Sequence, residues 1–334
     1  MDLKHLLKRG ALLTAANWPI VAIQLIAETT FQVLLGVPVI GAAILVAILL
    51  GTDLADLVQG SLRDVFTTVG SALMSEPVAL VAFITAFSVA LFGGCALMFV
   101  VKGGTVEVMM AANAAAGPIE RVPLTIDSVR TAARFSLQRF TAGCARLYRP
   151  YLVLGVCLML VYGATIAAYL AVIVSGYRAA EGHALRIGWK VFAQPALLLV
   201  AWTTVVNFLY LLVQVAVAVE GIGVVTGVKH VSRFVRREFR ELVSLFGVVV
   251  ALVAAATLAS ALAWSGVGLV AFVPLVGLAV FPLQLAALVV RGLVFEFLGL
   301  TTLGAYLTLY TAHVASRDAK IAVATDVSPA SARA

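Results

Sequence analysis

Gln24, Glu28 and Gln32 recur every four residues inside an apolar run. A helix there carries an amide, a carboxyl and an amide along one face. Counted from Trp18, Glu28 lies about 15 Å along that helix, near the middle of a hydrocarbon layer roughly 30 Å thick. A carboxyl at that depth costs on the order of 3 kcal/mol unless it is paired, wetted or protonated. Partners of the right type exist: Thr203, Asn207 and Gln214 share a helical face in a second apolar run, and Arg291 sits in a third. Two chemistries fit these seven residues. One is a polar cavity that binds a headgroup, an ion or a proton; the other is interhelical hydrogen bonding, worth about 0.6 kcal/mol per bond. Arg291 and Glu296, five residues apart, miss the three-and-four spacing of helical neighbours and need separate partners. Lys102 and Glu107 read as a solvated helix end.

Catalytic patterns are sparse. His5, His183, His230 and His313 are far apart in sequence and form no HExxH pair, so no metal is expected. Cys95, Cys144 and Cys157 show no CxxC spacing and read as small buried hydrophobes. Gly221, Gly223 and Gly227 spell GxGxxxG, one residue longer than the dinucleotide fingerprint, and they follow an apolar run where that fingerprint follows a strand. No Walker motif or GxSxG elbow occurs. The expectation is a protein with no cofactor that is not an enzyme.

Composition defines the elements that must hold these residues. Of 334 residues, 63% are hydrophobic and 12% charged, and mean hydropathy is +1.09. Soluble domains are about half apolar and a quarter charged, so an all-α, polytopic transmembrane bundle is expected. Six stretches reach the roughly 20 apolar residues that a span needs: 18–36, 77–101, 151–175, 195–219, 243–264 and 287–313. Residues 37–50, with Pro38, and 267–285, with Pro274 and Pro282, read as outer extensions or re-entrant segments, because proline bends or ends a helix.

Lys and Arg concentrate on the cytoplasmic side of short loops. With six spans and the N-terminal flank inside, only Arg63, Arg178, Arg186, Lys190 and Arg291 of the 23 basic residues fall elsewhere. The first outer loop, with Asp53, Asp56, Asp64 and Glu76, is acidic. A seventh span would move Arg317, Lys320 and Arg333 outside. The expected location is the cell (inner) membrane, multi-pass, with both termini cytoplasmic. Net charge of +7 then belongs to the inner headgroup layer rather than to nucleic acid. Residues 18–36 exceed the about 7–15 apolar residues of a secretory signal and read as an anchor that stays attached.

A basic amphipathic segment precedes the first, third and fifth spans. Leu3, Leu6 and Leu7 oppose Lys4 and Lys8; Val129, Ala133, Leu137 and Phe140 oppose Arg130, Arg134 and Arg139; Val231, Phe234, Val235 and Leu242 oppose Lys229, Arg233 and Arg237. Each such helix is suited to lie in the headgroup layer. Lys4, Lys8, Arg130, Arg134, Lys229, Arg233 and Arg237 are the candidate headgroup contacts, or they only anchor and orient the bundle. The integral membrane domain, 1–316, thus divides into hairpin-like units at about 1–116, 125–220 and 228–316, followed by a disordered tail, 317–334.

The segment GHALRIGWKVFAQPAL (182–197) and the run VKHVSRFVRREFRELVSLF (228–246) resemble the basic-aromatic lead-in helices of a six-helix prokaryotic membrane-protein family. That family is named for its fusion to glycerophosphodiester phosphodiesterases. The resemblance implies a six-helix fold with such segments inside, whereas the charge count puts Arg186, Trp189 and Lys190 outside. No residue matches the catalytic barrel of the phosphodiesterase, so its chemistry is not implied.

Small residues let helices approach in lipid. Gly247, Ala251, Ala255, Ala259 and Ala263 form such a ridge, and shorter ones run through Gly163, Ala167, Ala171 and Ser175 and through Ala82, Ala86, Ala90 and Gly94. They suit internal packing or an oligomer interface. The functional expectation is a non-enzymatic accessory or scaffold subunit whose partners are membrane lipids and other membrane-protein subunits. The alternative is a carrier or lipid-handling protein with its cavity around Glu28.

Overall fold

In the computed structural model, residues 2–50, 75, 77–121, 125–179, 193–271 and 276–326 are described. Their regular structure is all α-helix. Among the described residues, six helices are long and apolar enough to cross a membrane, with mean hydropathies from 1.8 to 2.6 over their best windows. The described residues fall into two compact units, one of 1–22 with 103–334 and one of 23–102.

In the first unit, α1 (Leu3–Ala16) starts where the Asp2 carboxylate accepts from the Lys4 N–H at 3.3 Å. It ends at Asn17, whose N–H reaches Leu13 O and Thr14 O. Helix α2 (Trp18–Leu50) begins at once and continues through Pro38. The outer segment expected at 37–50 is therefore a continuation of the first span. Its Pro38 lacks an N–H for the ladder, but a long apolar helix has no competing water to exploit the gap. Helix α3 (Pro77–Ala115) is likewise continuous.

The amphipathic segment expected over 129–140 is split. Helix α4 (Ile126–Ala132) is opened by a reciprocal Thr125–Ser128 capping box, residues 133–136 are non-helical, and α5 (Leu137–Ala179) resumes and runs on as a span. Asn17 explains the break. Its side-chain oxygen accepts from the Arg134 and Phe135 N–H groups at 2.8 and 2.9 Å, and its amide donates to Leu13 O and Ala132 O. The two backbone donors of a helix interior are thus spent on a distant side chain.

Helix α6 (Gln194–Glu220) stops at Gly221, which adopts a left-handed φ of 64° and closes on Val217 O. Only glycine takes that geometry without cost. Helix α7 (Val224–Arg237) follows, with Val231 and Phe234 buried and its basic residues on the other faces. Helix α8 (Phe239–Ala271) and helix α9 (Val276–Asp326) complete the chain; α9 passes through Pro282. Of the expected 267–285 interruption, 272–275 and Pro274 lie outside the described residues. Pro282 itself is helical. The disordered tail expected from residue 317 also needs correction, since α9 stays helical to Asp326; 327–334 lie outside the described residues.

The core of this unit gathers at one end of the spans. Residues 300–310 are all buried, together with Leu6, Leu13, Tyr151, Leu212 and Phe234. Gly10 of α1 and Gly304 of α9 set the tightest crossing: a Cβ on Gly10 would stand 2.2 Å from Thr301 O, and one on Gly304 would stand 3.0 Å from the Gly10 Cα. Glycine alone allows that backbone contact. Phe208 packs against Phe246 and Tyr306, with ring centroids 4.8 and 5.3 Å apart. On α3 and α5, Gly103 and Gly143 allow a second close approach, which Arg146 and Glu107 bridge as an ion pair. Glu107, expected as a solvated helix end, is thereby a cross-helix partner.

In the second unit, Gly94 of α3 leaves room for the Phe31 ring of α2, which a Cβ would meet at 2.0 Å. Phe83 and Phe87 stack at 5.9 Å.

Candidate functional site

The residues expected to line a cavity fall in both units. Gln24, Glu28 and Gln32 belong to 23–102, and Thr203, Asn207, Gln214 and Arg291 to the other. Gln24 is buried, and the Gln32 amide lies 3.4 Å from Glu28 on the same helix. Asn207 accepts from the Tyr162 hydroxyl at 2.5 Å across α5 and α6. Thr203 bonds back to Leu199 O and Val200 O. Gln214 is 2% exposed; its backbone carbonyl accepts from the Tyr151 hydroxyl, and its side-chain nitrogen has no hydrogen-bond partner among the described residues. Arg291 sits 5.8 Å over the Phe295 ring in a groove between α8 and α9. Thr203, Asn207, Gln214 and Arg291 thus have separate surroundings, and the side chains of Thr203 and Asn207 serve as local and interhelical hydrogen-bonding groups.

The long ridge on α8 divides. Ala259 and Ala263 line the groove shared with α9, whereas Ala251 and Ala255 are exposed and nothing lies within 4 Å of a Cβ built on Gly247. Gly163 is open in the same way. The cysteines are less buried than expected: Cys157 is exposed, Cys95 and Cys144 are half-buried, and all three are free. Arg186, Trp189, Lys190 and His183, with the acidic loop 53–64 and Glu76, lie outside the described residues.

Two polar assemblies emerge at the core end of the first unit. The first is centred on Arg9, 9% exposed. Its Nε donates to Asn113 Oδ1 at 2.8 Å, Nη2 to Asn113 O at 2.9 Å, and Nη1 to Glu120 Oε2 at 2.9 Å and to Gly117 O. Thr308 of α9 donates to the same Asn113 oxygen at 3.2 Å. Burial opposes the charge on Glu120, but a backbone hydrogen bond, the Arg9 guanidinium and the charge of Arg121 together hold its carboxyl below the ordinary range. This assembly ties α1, the end of α3 and α9 into one body, with its donors and acceptors occupied.

The second assembly surrounds Glu220. A carboxylate at a helix C-terminus faces the negative end of the helix dipole, and this one is largely buried, so it needs donors. Tyr310 donates to Oε1, while His230 Nδ1 stands 2.8 Å and both Arg317 Nη atoms 3.3 Å from Oε2. Helix α7 presents His230, Arg233 and Arg237 at i, i+3 and i+7. Helix α9 presents Tyr310, His313, Arg317 and Lys320 with the same helical spacing. The two stripes face each other across a cavity of about 350 Å³. Phe234 holds the helices together, edge-on to Tyr310 and to His313 at 5.0 Å each. Glu238 takes His313 at 3.1 Å.

Of the candidate headgroup contacts, the structure brings Arg233 and Arg237 into this cavity, while Lys4, Arg130, Arg134 and Lys229 are exposed elsewhere and Lys8 is half-buried. Reading the histidines by sequence distance missed that His230 and His313 line one cavity. The available signal was the helical spacing of basic and histidine residues on two segments, i, i+3, i+7 over His230, Arg233 and Arg237 and i, i+4, i+7 over His313, Arg317 and Lys320. Among the described residues, no three His, Cys, Asp or Glu side chains gather to hold a metal ion.

Fold and site together define a membrane-type all-α bundle with a basic cavity at its packed end. Comparison with protein-family models, with curated proteins and with solved structures returns no match.

Proposed function

We propose that the chain is a non-enzymatic, multi-pass component of the cell (inner) membrane that serves as an accessory or scaffold subunit, packing its spans against lipids and partner helices. One observation carries this reading. The apolar windows of the six long helices are only 0 to 22% buried within the chain, and that of the third is not buried at all. Apolar area of that extent is stable only against lipid or other protein. The open part of the α8 ridge, Gly247 to Ala255, supplies small residues for a helix from outside. An apolar groove among α5, α6 and α7, lined by Leu154, Val161, Leu209 and Val213, suits acyl chains.

In this reading the packed end, with α1, α4 and α7, faces the cytoplasm, because the basic residues cluster there. The likeness to the six-helix prokaryotic family is then one of layout, without phosphodiesterase chemistry.

Native mass spectrometry of the protein extracted gently from its own membrane tests the proposal. A second protein at fixed stoichiometry is the expected result. A solitary chain that carries one small molecule, released by Glu28→Gln, would overturn it in favour of a carrier.

A further inference from the structure

We propose that the cavity between α7 and α9 is a binding site for a phosphomonoester dianion, presented by a lipid headgroup at the membrane surface. The inference rests on the membrane-embedded reading above, which puts this cavity at headgroup level.

Charge assignment around the cavity is uneven. Glu220 is committed to Arg317, His230 and Tyr310, Glu238 to His313, and Asp318 to Arg317. Arg233, Arg237 and Lys320 form no ion pair among the described residues, yet all three line the same cavity. Like charges held together at a partly enclosed site repel, and an anion of matching charge relieves that repulsion. Arg233 and Arg237 lie one helical turn apart on α7, so both planar forks can address one group. The guanidinium fork matches phosphate oxygens two at a time.

Glu220, bonded to the lining residues Tyr310, His230 and Arg317 and not itself part of the lining, does not compete for the ligand. Its oxygens are occupied by three donors, and it fixes Arg317 and His230 before anything binds. Pre-set donors are the general device for binding without an ordering penalty. The volume, about 350 Å³, is at the small end of ligand sites, roughly 300–1,000 Å³. It suits a headgroup of phosphate size and leaves the acyl chains in the bilayer. A phosphodiester carries one charge, so it answers the three uncommitted cations less well than a phosphomonoester, which carries up to two near neutral pH.

The full chain is reconstituted in phosphatidylcholine nanodiscs doped with either phosphatidic acid or phosphatidylglycerol, and lipid retained after delipidation is read by native mass spectrometry. One retained phosphatidic acid, with phosphatidylglycerol lost, is the expected result. Arg233→Gln with Arg237→Gln should weaken retention about a hundredfold, since two charge-assisted contacts are removed. Arg149→Gln with Arg240→Gln changes total charge equally at exposed sites that do not line the cavity and should leave retention unchanged. Circular dichroism on both pairs confirms that they fold.

Inorganic phosphate is titrated into the detergent-solubilised protein in a parallel arm. Binding there, lost in the Arg233→Gln/Arg237→Gln protein, supports the dianion site; if phosphatidic acid is not retained as well, the lipid source is overturned. Equal retention of both lipids, or retention that survives Arg233→Gln/Arg237→Gln, overturns the proposal. Failure of the chain to enter nanodiscs would instead overturn the membrane reading, and the two failures are therefore separable.

Discussion

Removing Glu120 strips a buried guanidinium of its only close counter-charge among the described residues. Arg9 and Glu120 side chains are 10% and 7% exposed and lie 2.9 Å apart. Breaking a buried pair from one side costs about 3–5 kcal/mol, because the remaining charge stays desolvated. Arg9 keeps Asn113 Oδ1, Asn113 O and Gly117 O as neutral acceptors, so Glu120→Ala should fall at the low end, about 3 kcal/mol. Arg9→Met should cost more, about 5 kcal/mol, since it leaves the buried Glu120 charge facing the exposed Arg121 at 3.8 Å and strips Asn113 O and Gly117 O of their donor. The double variant Arg9→Met/Glu120→Leu strands no charge. Only neutral carbonyl acceptors lose a partner, so its cost should be about 2 kcal/mol, below that of Arg9→Met alone. Reversible unfolding in mixed micelles, followed by circular dichroism, measures all three. A double variant whose cost equals the sum of the singles would refute the reasoning, because independent sites add and a shared charge pair does not.

The same pair sets an acid limit. The Glu120 carboxyl is held below its ordinary value of 4.5, so its contribution is fully present above that value and is lost as pH falls below it. The stability difference between the native chain and Glu120→Gln should be constant above about pH 6 and shrink on acidification; a constant difference down the acid limb would contradict the assignment. Gly10→Ala puts a methyl 2.2 Å from a backbone oxygen that cannot swing away. It should cost about 3 kcal/mol, the upper end for overpacking, and lower the unfolding midpoint, whereas Gly163→Ala, where the added methyl meets nothing, should be nearly neutral. Asn17→Ala frees the Arg134 and Phe135 N–H groups. Trypsin should then cleave faster after Arg134, and an unchanged cleavage rate would show that Asn17 does not hold the 133–136 break.

Apolar run length and basic-residue asymmetry are local properties, and they were enough for the all-α class, the six long apolar helices and the lead-in segments α1 and α7. Prolines were the weak point. Pro38 and Pro282 read as breaks, yet both helices continue, because in a long apolar helix no alternative partner exists for the backbone groups that proline disturbs. The split between α4 and α5 depended on Asn17, more than a hundred residues away, and no local signal at 133–136 could announce it. Over 317–326 the disordered reading needed correction for a related reason: this stretch mixes charged residues with alanines, but Arg317 gains a partner in Glu220 from another helix.

What the sequence determined by itself is the solvent each segment can tolerate, since transfer of a side chain between water and hydrocarbon depends on that side chain alone. Which polar residues meet was decided by the tertiary structure. Glu28 stood out because a single charge in an apolar run is visible from its neighbours. Glu220, His230, His313 and Arg317 did not, since each sits at or beyond the end of an apolar run, where polar residues are ordinary, and gains its meaning from a crossing set by packing elsewhere, at Phe234 and at the Gly10–Gly304 contact. Hydrogen bonds and ion pairs act over about 3–4 Å. Such a distance between residues far apart in the chain exists only once the helices have packed.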